Sequence, residues 1–330
     1  MNKFLDKIVK PVYHKLISEP IFRYRFKHNP QKIATDVYKR VFGKDADLEN
    51  PKDLIEKILW LQFNTDTSLW TLCADKYRVR SFVEGRGYGD QLCKLYGMWE
   101  NAADIDFDAL PNQFVLKTNH GCGQIFLVKD KKTADLEGMR KMLGKWLKQG
   151  YGYAGAQMHY TRIKPCIIAE EMLPCNEGEK SMIDYKIWCL NGKPRGIMVC
   201  FDRSVEVGHG SYSLSMYDTE WNNISDFAFN KNNKHYSGKE VPKPLNLDKM
   251  LEMATELSQG FPQVRVDLYN VNGKIYFGEM TFTTGYGYFS REYYEYLGSK
   301  ITLPAIGPKA EIIESLQEDH STKSGGGVNA

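Results

Sequence analysis

Apolar residues recur along this chain at two spacings, helical and alternating, and the switches between them lay out its elements. Leu54, Ile58 and Leu61 fall on one helical stripe, so a helix is expected over 51–61. At 113–117 the pattern becomes that of a short strand that runs straight into His120-Gly121-Cys122-Gly123, which predicts strand, tight glycine loop and strand in succession. A helix over 135–147, a loop rich in glycine and tyrosine (Gly150, Gly152, Gly155) and a strand over 166–169 follow. Strands at 186–190 and 196–201 flank Asn191-Gly192, a pair suited to a tight hairpin turn. Residues 204–245 are polar and irregular and read as an excursion over the active site, after which a helix resumes over 245–259 with Leu251, Ala254 and Leu257 on one stripe. The last ten residues, 321–330, are too polar and glycine-rich to order themselves, and no internal repeat is visible.

Both ends of the chain differ from its middle. In the first 28 residues Lys3, Lys7, Lys10, Lys15, Arg23, Arg25 and Lys27 interleave with Phe4, Ile8, Val12, Ile17, Ile21 and Phe22. That pattern suits either a membrane-surface or docking helix, or a helical extension packed on the main body. Pro11 and Pro20 interrupt it and favour the second. Across the 330 residues, 42% are hydrophobic and 26% charged, enough to bury a large core divided into two or three lobes. The 44 basic residues barely outnumber the 41 acidic ones, which argues against a nucleic-acid surface, so any anion must be met by a local site. No apolar run approaches the roughly 20 residues that cross a bilayer, and the amino terminus has no compact apolar core with a cleavage site, so a cytoplasmic location is expected. Seven cysteines, Cys73, Cys93, Cys122, Cys166, Cys175, Cys189 and Cys200, are scattered and never form a CxxC pair, which suggests neither a zinc site nor a disulfide frame.

The segment Val264-Arg265-Val266-Asp267-Leu268-Tyr269 carries candidate chemistry. Its apolar residues alternate with Arg265, Asp267 and Tyr269, so one face of a strand holds both charges. On the returning strand Ile275, Phe277, Glu279 and Thr281 share a face, and the turn decides which one. A two-residue turn at Asn272-Gly273 puts Asp267 and Glu279 on opposite sides of the sheet. A three-residue loop, Val271-Asn272-Gly273, pairs Arg265 with Glu279 and leaves Asp267 a diagonal neighbour of Glu279, about 7 Å away. The second arrangement is the expectation. Two converging carboxylates repel, and a divalent cation between them relieves that; equally, Arg265 alone neutralises them as a cross-strand ion cluster.

With these residues the chain resembles the ATP-grasp superfamily, whose closing signature is a strand ending in Asp, a short turn, and a strand ending in Glu with a polar residue two further on. Here it reads Arg265-x-Asp267 and Glu279-x-Thr281, followed by Gly285-Tyr286-Gly287. The resemblance implies an α+β fold of two α/β lobes sandwiching ATP, with Asp267, Glu279 and Thr281 holding Mg2+ and Arg265 stabilising the transferring phosphate. Thr281 stands where the family commonly has Asn. Upstream, Lys76 and, 41 residues on, Lys117 look like the family's two phosphate-facing lysines. The loop Asn119-His120-Gly121-Cys122-Gly123 would fold over the phosphates with its backbone N–H groups, a bland turn being the other reading. Ile167-Ile168-Ala169-Glu170-Glu171-Met172-Leu173 looks like the hinge that meets adenine and ribose, with Glu170, Glu171 and Leu173 as cofactor contacts. Asp184-Tyr185-Lys186 and Phe201-Asp202-Arg203 are similar to the central stretch in which basic side chains meet the phosphates, which implies catalytic roles for Lys186 and Arg203 and a cofactor contact for Asp184.

The set Asp75-Lys76-Tyr77-x-Val79-Arg80, Lys117-x-Asn119-His120-Gly121, Asp184-Tyr185-Lys186 and Arg265-Val266-Asp267-Leu268-Tyr269 narrows the resemblance to the TupA-like branch, associated with capsular polysaccharide and teichuronopeptide synthesis. It runs from about residue 70 to 305 and implies these divisions: a basic helical extension over 1–65, a pre-grasp segment over 66–110, a small lobe over 111–175, a large lobe over 176–305, and a C-terminal helix and tail over 306–330. In that context an ATP-dependent carboxylate–amine ligase is expected. It would join a uronic acid of a polysaccharide precursor to an amino acid or amine through an acyl phosphate, with peripheral association to membrane-bound capsule machinery at the inner face of the membrane. Arg80 is a candidate for the acceptor carboxylate, or an ordinary ion pair; Gly285 and Tyr286 are candidate substrate contacts. The 20 tyrosines, including Tyr151, Tyr153, Tyr160, Tyr286, Tyr288, Tyr293 and Tyr294, suit stacking on sugar rings, although most are expected in packing. Two rivals are a glycosyltransferase, with Asp45-Ala46-Asp47 or Asp104-Ile105-Asp106 as its metal-holding DxD, and a carbohydrate kinase using the same ATP site.

Overall fold

The structure, a computed structural model, describes residues 20–204 and 211–305. It is α+β, with two antiparallel sheets of four and five strands. Residues 20–28 are helical, and then come α1 (Pro30–Phe42) and α2 (Leu54–Asn64). Asn29 caps α1 ahead of Pro30, and Asp53 with Glu56 closes a reciprocal capping box on α2. Two short helices, α3 (Ser68–Ala74) and α4 (Val79–Gly85), lead to β1 (Leu95–Trp99).

The smaller sheet, in the order β1-β4-β2-β3, adds β2 (Phe114–Thr118), β3 (Ile125–Val128) and, after α5 (Leu136–Leu147) and the single turn α6 (Met158–Thr161), β4 (Ile167–Glu170). Phe114, Leu116, Val128, Ile167 and Ala169 point one way and bury against Leu143 of α5. The register places Val115, Lys117, Ile125, Leu127, Ile168 and Glu170 on the other face. On that face Ile125 and Leu127 are 45% and 44% exposed.

The larger sheet, β7-β6-β5-β8-β9, is built from β5 (Asp184–Leu190), β6 (Lys193–Phe201), β7 (Ser213–Tyr217), β8 (Gln263–Val271) and β9 (Lys274–Thr281). Between β7 and β8 run a short helix, α7 (Ser225–Ala228), and α8 (Leu247–Ser258). Ile187, Val199, Val266 and Leu268 form the face covered by α8 and by Trp70 and Val83 from α3 and α4. On the opposite face the apolar residues Trp188, Leu190, Met198 and Met216 lie under α1, α2 and α9 (Arg291–Ser299). The other half of that face is charged, and it is the site.

Two expectations change here, and a third is sharpened. The described residues of 204–245 are no mere excursion, because Ser213-Leu214-Ser215-Met216-Tyr217 forms the edge strand β7, Leu214 and Met216 filling the core. The described part of 1–65 packs on the main body, as the favoured reading expects: Ile33, Tyr38, Leu54 and Ile55 are buried against the larger sheet, and the Tyr38 hydroxyl bonds Asp53 at 2.6 Å. The segment 66–110 is shared, its helices packing on the larger sheet and β1 joining the smaller one. The basic residues Lys3, Lys7, Lys10 and Lys15, and the expected helix and tail over 306–330, lie outside the described residues. All seven cysteines are free thiols.

Candidate active site

The β8–β9 hairpin settles how Asp267 and Glu279 come together, and it corrects the loop expectation. The turn has two residues, Asn272 and Gly273, both at positive φ (52° and 81°), and pairs Val271 with Lys274. Continued unbroken, that register would put the two carboxylates on opposite faces. A bulge at Gly278 inserts one residue after the Leu268–Phe277 pair, so Asp267 stands directly opposite Glu279, and Arg265 opposite Thr281. A Cβ at position 278 would come within 2.9 Å of the Asp267 carbonyl oxygen, so the close approach needs glycine.

Across three strands this produces a row of charge: Lys186 on β5, Asp267 on β8 and Glu279 on β9. Arg265 binds both oxygens of Asp267 through Nε and Nη2, at 2.6 and 2.7 Å. Its Nη2 also reaches Glu279 at 3.3 Å and the Thr281 hydroxyl at 3.0 Å. The Lys186 ammonium pairs with Asp267 and, at 2.7 Å, with Asp184. Arg203 donates to Asp184 at 2.8 Å. The guanidinium of Arg265 lies 5.5 Å from the centre of the Trp188 ring, joining the charged half of the face to its apolar half.

Burial favours the neutral acid of Glu279, but Lys76, Lys186 and Arg265 outweigh it and hold the carboxyl down at about 2. Burial likewise opposes charge on Lys186, and Asp184 and Asp267 reverse that and raise it. Because the folded-state value of Glu279 lies below its ordinary 4.5, its ion pairs add stability above pH 4.5 and lose it as the pH falls through 4.5 toward 2. Wild type and Glu279→Gln should therefore differ in chemical-denaturation midpoint at neutral pH and converge at about pH 2. A gap that stays constant on acidification would contradict this assignment.

The carboxylates suit a hard cation. Asp184 Oδ1 is buried without a hydrogen-bond partner, and the Glu279 side chain is 40% exposed toward the cleft. Among the described residues no three His, Cys, Asp or Glu side chains form a metal cage. Magnesium is commonly held by one or two carboxylates plus phosphate oxygens, and Asp267 with Glu279 fits that donor set. Thr281 is already engaged: its hydroxyl donates to Glu279 at 3.2 Å while accepting from Arg265, so it orients the ligand pair.

Facing this row is the smaller sheet. Lys117 pairs with Glu170, which also meets Arg80 at 3.3 Å. The Lys76 ammonium holds the Gly121 carbonyl at 2.9 Å, tying the glycine loop down, and burial lowers its pKa even though Glu279 opposes this. Lys76, Lys117, Arg80 and Glu170 share a cavity of about 70 Å3 with Tyr269 and Gly278 of the larger sheet. Beside it, Ile125 and Leu127 offer an exposed apolar surface that the sequence pattern did not single out.

The remaining candidates divide. Asn119 is committed internally, donating to the Lys164 carbonyl at 2.9 Å and accepting from Cys166 N–H at 2.7 Å, so it pins the loop to β4. His120 is buried, with Nε2 3.1 Å from the Gln149 carbonyl oxygen, and burial lowers its pKa. Gly123 adopts φ 72°, a left-handed turn that reverses the loop. Glu171 pairs through its backbone with Lys94, and Leu173 is half-buried in the stretch after β4. Arg80 is largely buried by Glu170 and by the Cys93 carbonyl at 3.0 Å, which matches the ion-pair reading and not the acceptor reading. Both DxD triplets make turns: Asp47 accepts from the Glu49 and Asn50 N–H groups, and Asp106 from those of Asp108 and Ala109.

A second cavity, of about 380 Å3, opens on the other side of the charge row and is reached by Lys186, Arg203 and Arg265. Gly285 lines it. Tyr286 turns away and packs toward Phe42 of α1, and Tyr288 takes its place in the wall together with Tyr212 and Trp188. Gly287, at φ 81°, reverses the chain between the two tyrosines. Trp188 was within reach of the sequence, since it alternates with Asp184 and Lys186 on one strand, and Tyr288 is among the tyrosines suited to stacking; Tyr212 carried no such signal.

Comparison with known families matches residues 56–302 to the one described as TupA-like ATPgrasp. No curated protein matches the chain. Among solved structures, it is similar to a D-alanine–D-alanine ligase from Bacillus anthracis at 16% identity, covering 65% of this chain and 58% of that one, with a TM-score of 0.39. An L-amino acid ligase from Bacillus licheniformis is similar at 14% identity, with 78% and 54% covered and a TM-score of 0.41. The chain thus spans little more than half the length of either solved ligase.

Proposed function

The chain belongs to the TupA-like ATP-grasp family, and from that premise we propose that it is an ATP- and magnesium-dependent ligase joining a carboxylate to an amine. The observation that carries this reading is the row Lys186–Asp267–Glu279, with Arg265 across it, standing between two separate cavities. The smaller cavity, beside Lys76, Lys117 and the glycine loop, marks the nucleotide side, and the larger marks the acceptor side. At about 70 Å3 the smaller cavity is too small for a nucleotide, so binding ATP requires the Lys117–Glu170 contact to open.

The reaction is limited by charge, since an anionic carboxylate must approach a polyphosphate. Asp267 and Glu279 would hold magnesium, which supplies charge neutralisation at the phosphate oxygens when bound. Lys76 and Lys117 meet the nucleotide's phosphates, and Lys186 and Arg265 face the developing charge on the transferring group. A carboxylate oxygen attacks the γ-phosphorus and ADP leaves; the amine nitrogen then attacks the acyl carbon, loses a proton, and phosphate departs. No side chain becomes covalently attached.

The finer reading is that the carboxylate belongs to a uronic acid of a capsular polysaccharide precursor and the amine to an amino acid or amino alcohol, with the enzyme working in the cytoplasm near the inner face of the membrane. No helix among the described residues is long and apolar enough to cross a membrane. The test is to mix the protein with ATP, magnesium, a panel of uronic acids and a panel of amines, and to follow ADP and new amide by mass spectrometry. Amine-dependent ADP and phosphate with a matching amide is the expected result. ADP release without amine, giving a stable phosphorylated sugar, would instead identify a kinase, and no carboxylate-dependent ADP at all would end the ligase assignment.

A further inference from the structure

The two cavities differ in a way that separates the two substrates. Among the described residues, the wall of the 380 Å3 cavity contains Lys186, Arg203 and Arg265 and no carboxylate side chain; Asp184 and Asp267 lie behind those cations, paired to them. Such a lining attracts an anion and repels an ammonium group. Resting on the ligase reading, we propose that this cavity is the subsite for the anionic partner, that its ligand is a single carboxylated sugar ring, and that Arg203 receives the carboxylate side of that ring.

Three features point to a ring. Tyr212 and Tyr288, both half-buried, supply flat apolar surface, which matches the C–H face of a pyranose, and the buried Trp188 and Phe289 back them. The Tyr212 and Tyr288 hydroxyls lie 3.2 Å apart, a donor–acceptor pair suited to sugar hydroxyls. Tyr212 is held in place from behind, its ring stacked on His235 at 3.8 Å with 6° between planes, and His235 Nδ1 lies 3.2 Å from the Tyr212 carbonyl oxygen. A wall fixed in this way lowers the entropic cost of binding.

Arg203 is equally well fixed. Asp184 holds its Nη2 at 2.8 Å and Cys200 Sγ lies 3.2 Å from its Nε, yet 43% of the side chain remains exposed. A guanidinium aligned by its neighbours and open on one side is suited to a carboxylate. Arg80, the earlier candidate, is only 16% exposed and engaged by Glu170. At about 380 Å3 the cavity sits near the lower end of the roughly 300–1,000 Å3 range of small-molecule sites, which favours one sugar unit over several.

The test is binding without turnover. Free glucuronate, glucose and acetate are titrated against the full chain by calorimetry and saturation-transfer NMR, alongside Ser211→Trp, which fills the cavity, and Tyr288→Ala, which removes one wall; thermal melting confirms that each variant is folded. Glucuronate should bind at least about tenfold tighter than glucose or acetate, and both variants should weaken it at least about tenfold. Equal binding of glucose would overturn the anionic subsite, and equal binding of acetate would overturn the ring. Undiminished glucuronate binding in a folded Tyr288→Ala would show that the wrong cavity has been chosen. Each of these is independent of catalysis: should no carboxylate support amine-dependent ADP release while glucuronate still binds as described, the ligase reading fails and the subsite stands.

Discussion

Glu279→Gln is expected to cut carboxylate-dependent ADP release about a thousandfold, about 4 kcal/mol of barrier, while costing the fold less than loss of the Asp267 charge does. The asymmetry follows from where the carboxylate sits. Glu279 faces the charge row with its side chain 40% exposed, so solvent screening limits what its pairing with Arg265 adds to stability. The amide keeps the shape and removes the charge that magnesium needs. Asp267→Asn should abolish turnover just as fully but also lower the melting temperature, because Arg265 and Lys186 are then left in a buried site without their shared anion. Steady-state ADP release with a thermal melt on both variants separates the cases. Turnover within tenfold of wild type in Glu279→Gln would remove the carboxylate pair from the chemistry.

The second large effect is expected at a residue with no functional group. Gly278→Val should lower stability by about 1–3 kcal/mol and activity by about a hundredfold or more. A side chain there meets the Asp267 carbonyl at 2.9 Å and the Tyr269 ring at 3.1 Å. The hairpin relieves that clash only by parting its strands or abandoning the bulge, and either movement takes Glu279 away from Asp267. Gly273→Ala is the control. It also strains a left-handed turn, at φ 81°, but has no atom within 4 Å of the added carbon. It should cost about 1–2 kcal/mol of stability and leave ADP release nearly unchanged. Equal losses of activity in the two variants would mean that the bulge has no special part in aligning the carboxylates.

Gly278 also shows how far the sequence could be read. Alternation placed Arg265 and Asp267 on one face, and Asn-Gly marked both hairpin turns, Asn191-Gly192 and Asn272-Gly273. The parity of the returning strand was not recoverable from turn length alone, because the turn and the bulge each shift the register by one residue and only their sum matters. The three-residue loop gave the same face for the wrong reason and made the carboxylates diagonal, where they are directly opposed. A lone glycine inside a strand was the available sign of a bulge. The lysines and the glycine loop were legible because their order along the chain matched a known pattern. The covering role of α1 and α2 was not, since an apolar helical stripe does not say which sheet it will meet. Tyr286 and Tyr288 were equal candidates for stacking, and a single left-handed residue, Gly287, separates the tyrosine that faces the cavity from the one that does not.

In the strand order of the larger sheet, Asp267 lies on an interior strand and Glu279 on β9, at the sheet's margin. The two halves of the carboxylate pair are therefore unequally anchored. Freeing Asp267 means rupturing ladders on both sides of β8, whereas β9 is laddered to β8 alone among the described strands and can fray without the core coming apart. A brief departure of β9 would carry off one carboxylate and leave the sheet standing. Loss of competence and loss of fold are then separate events with separate rates, and heating or denaturant should silence the chain before unfolding it.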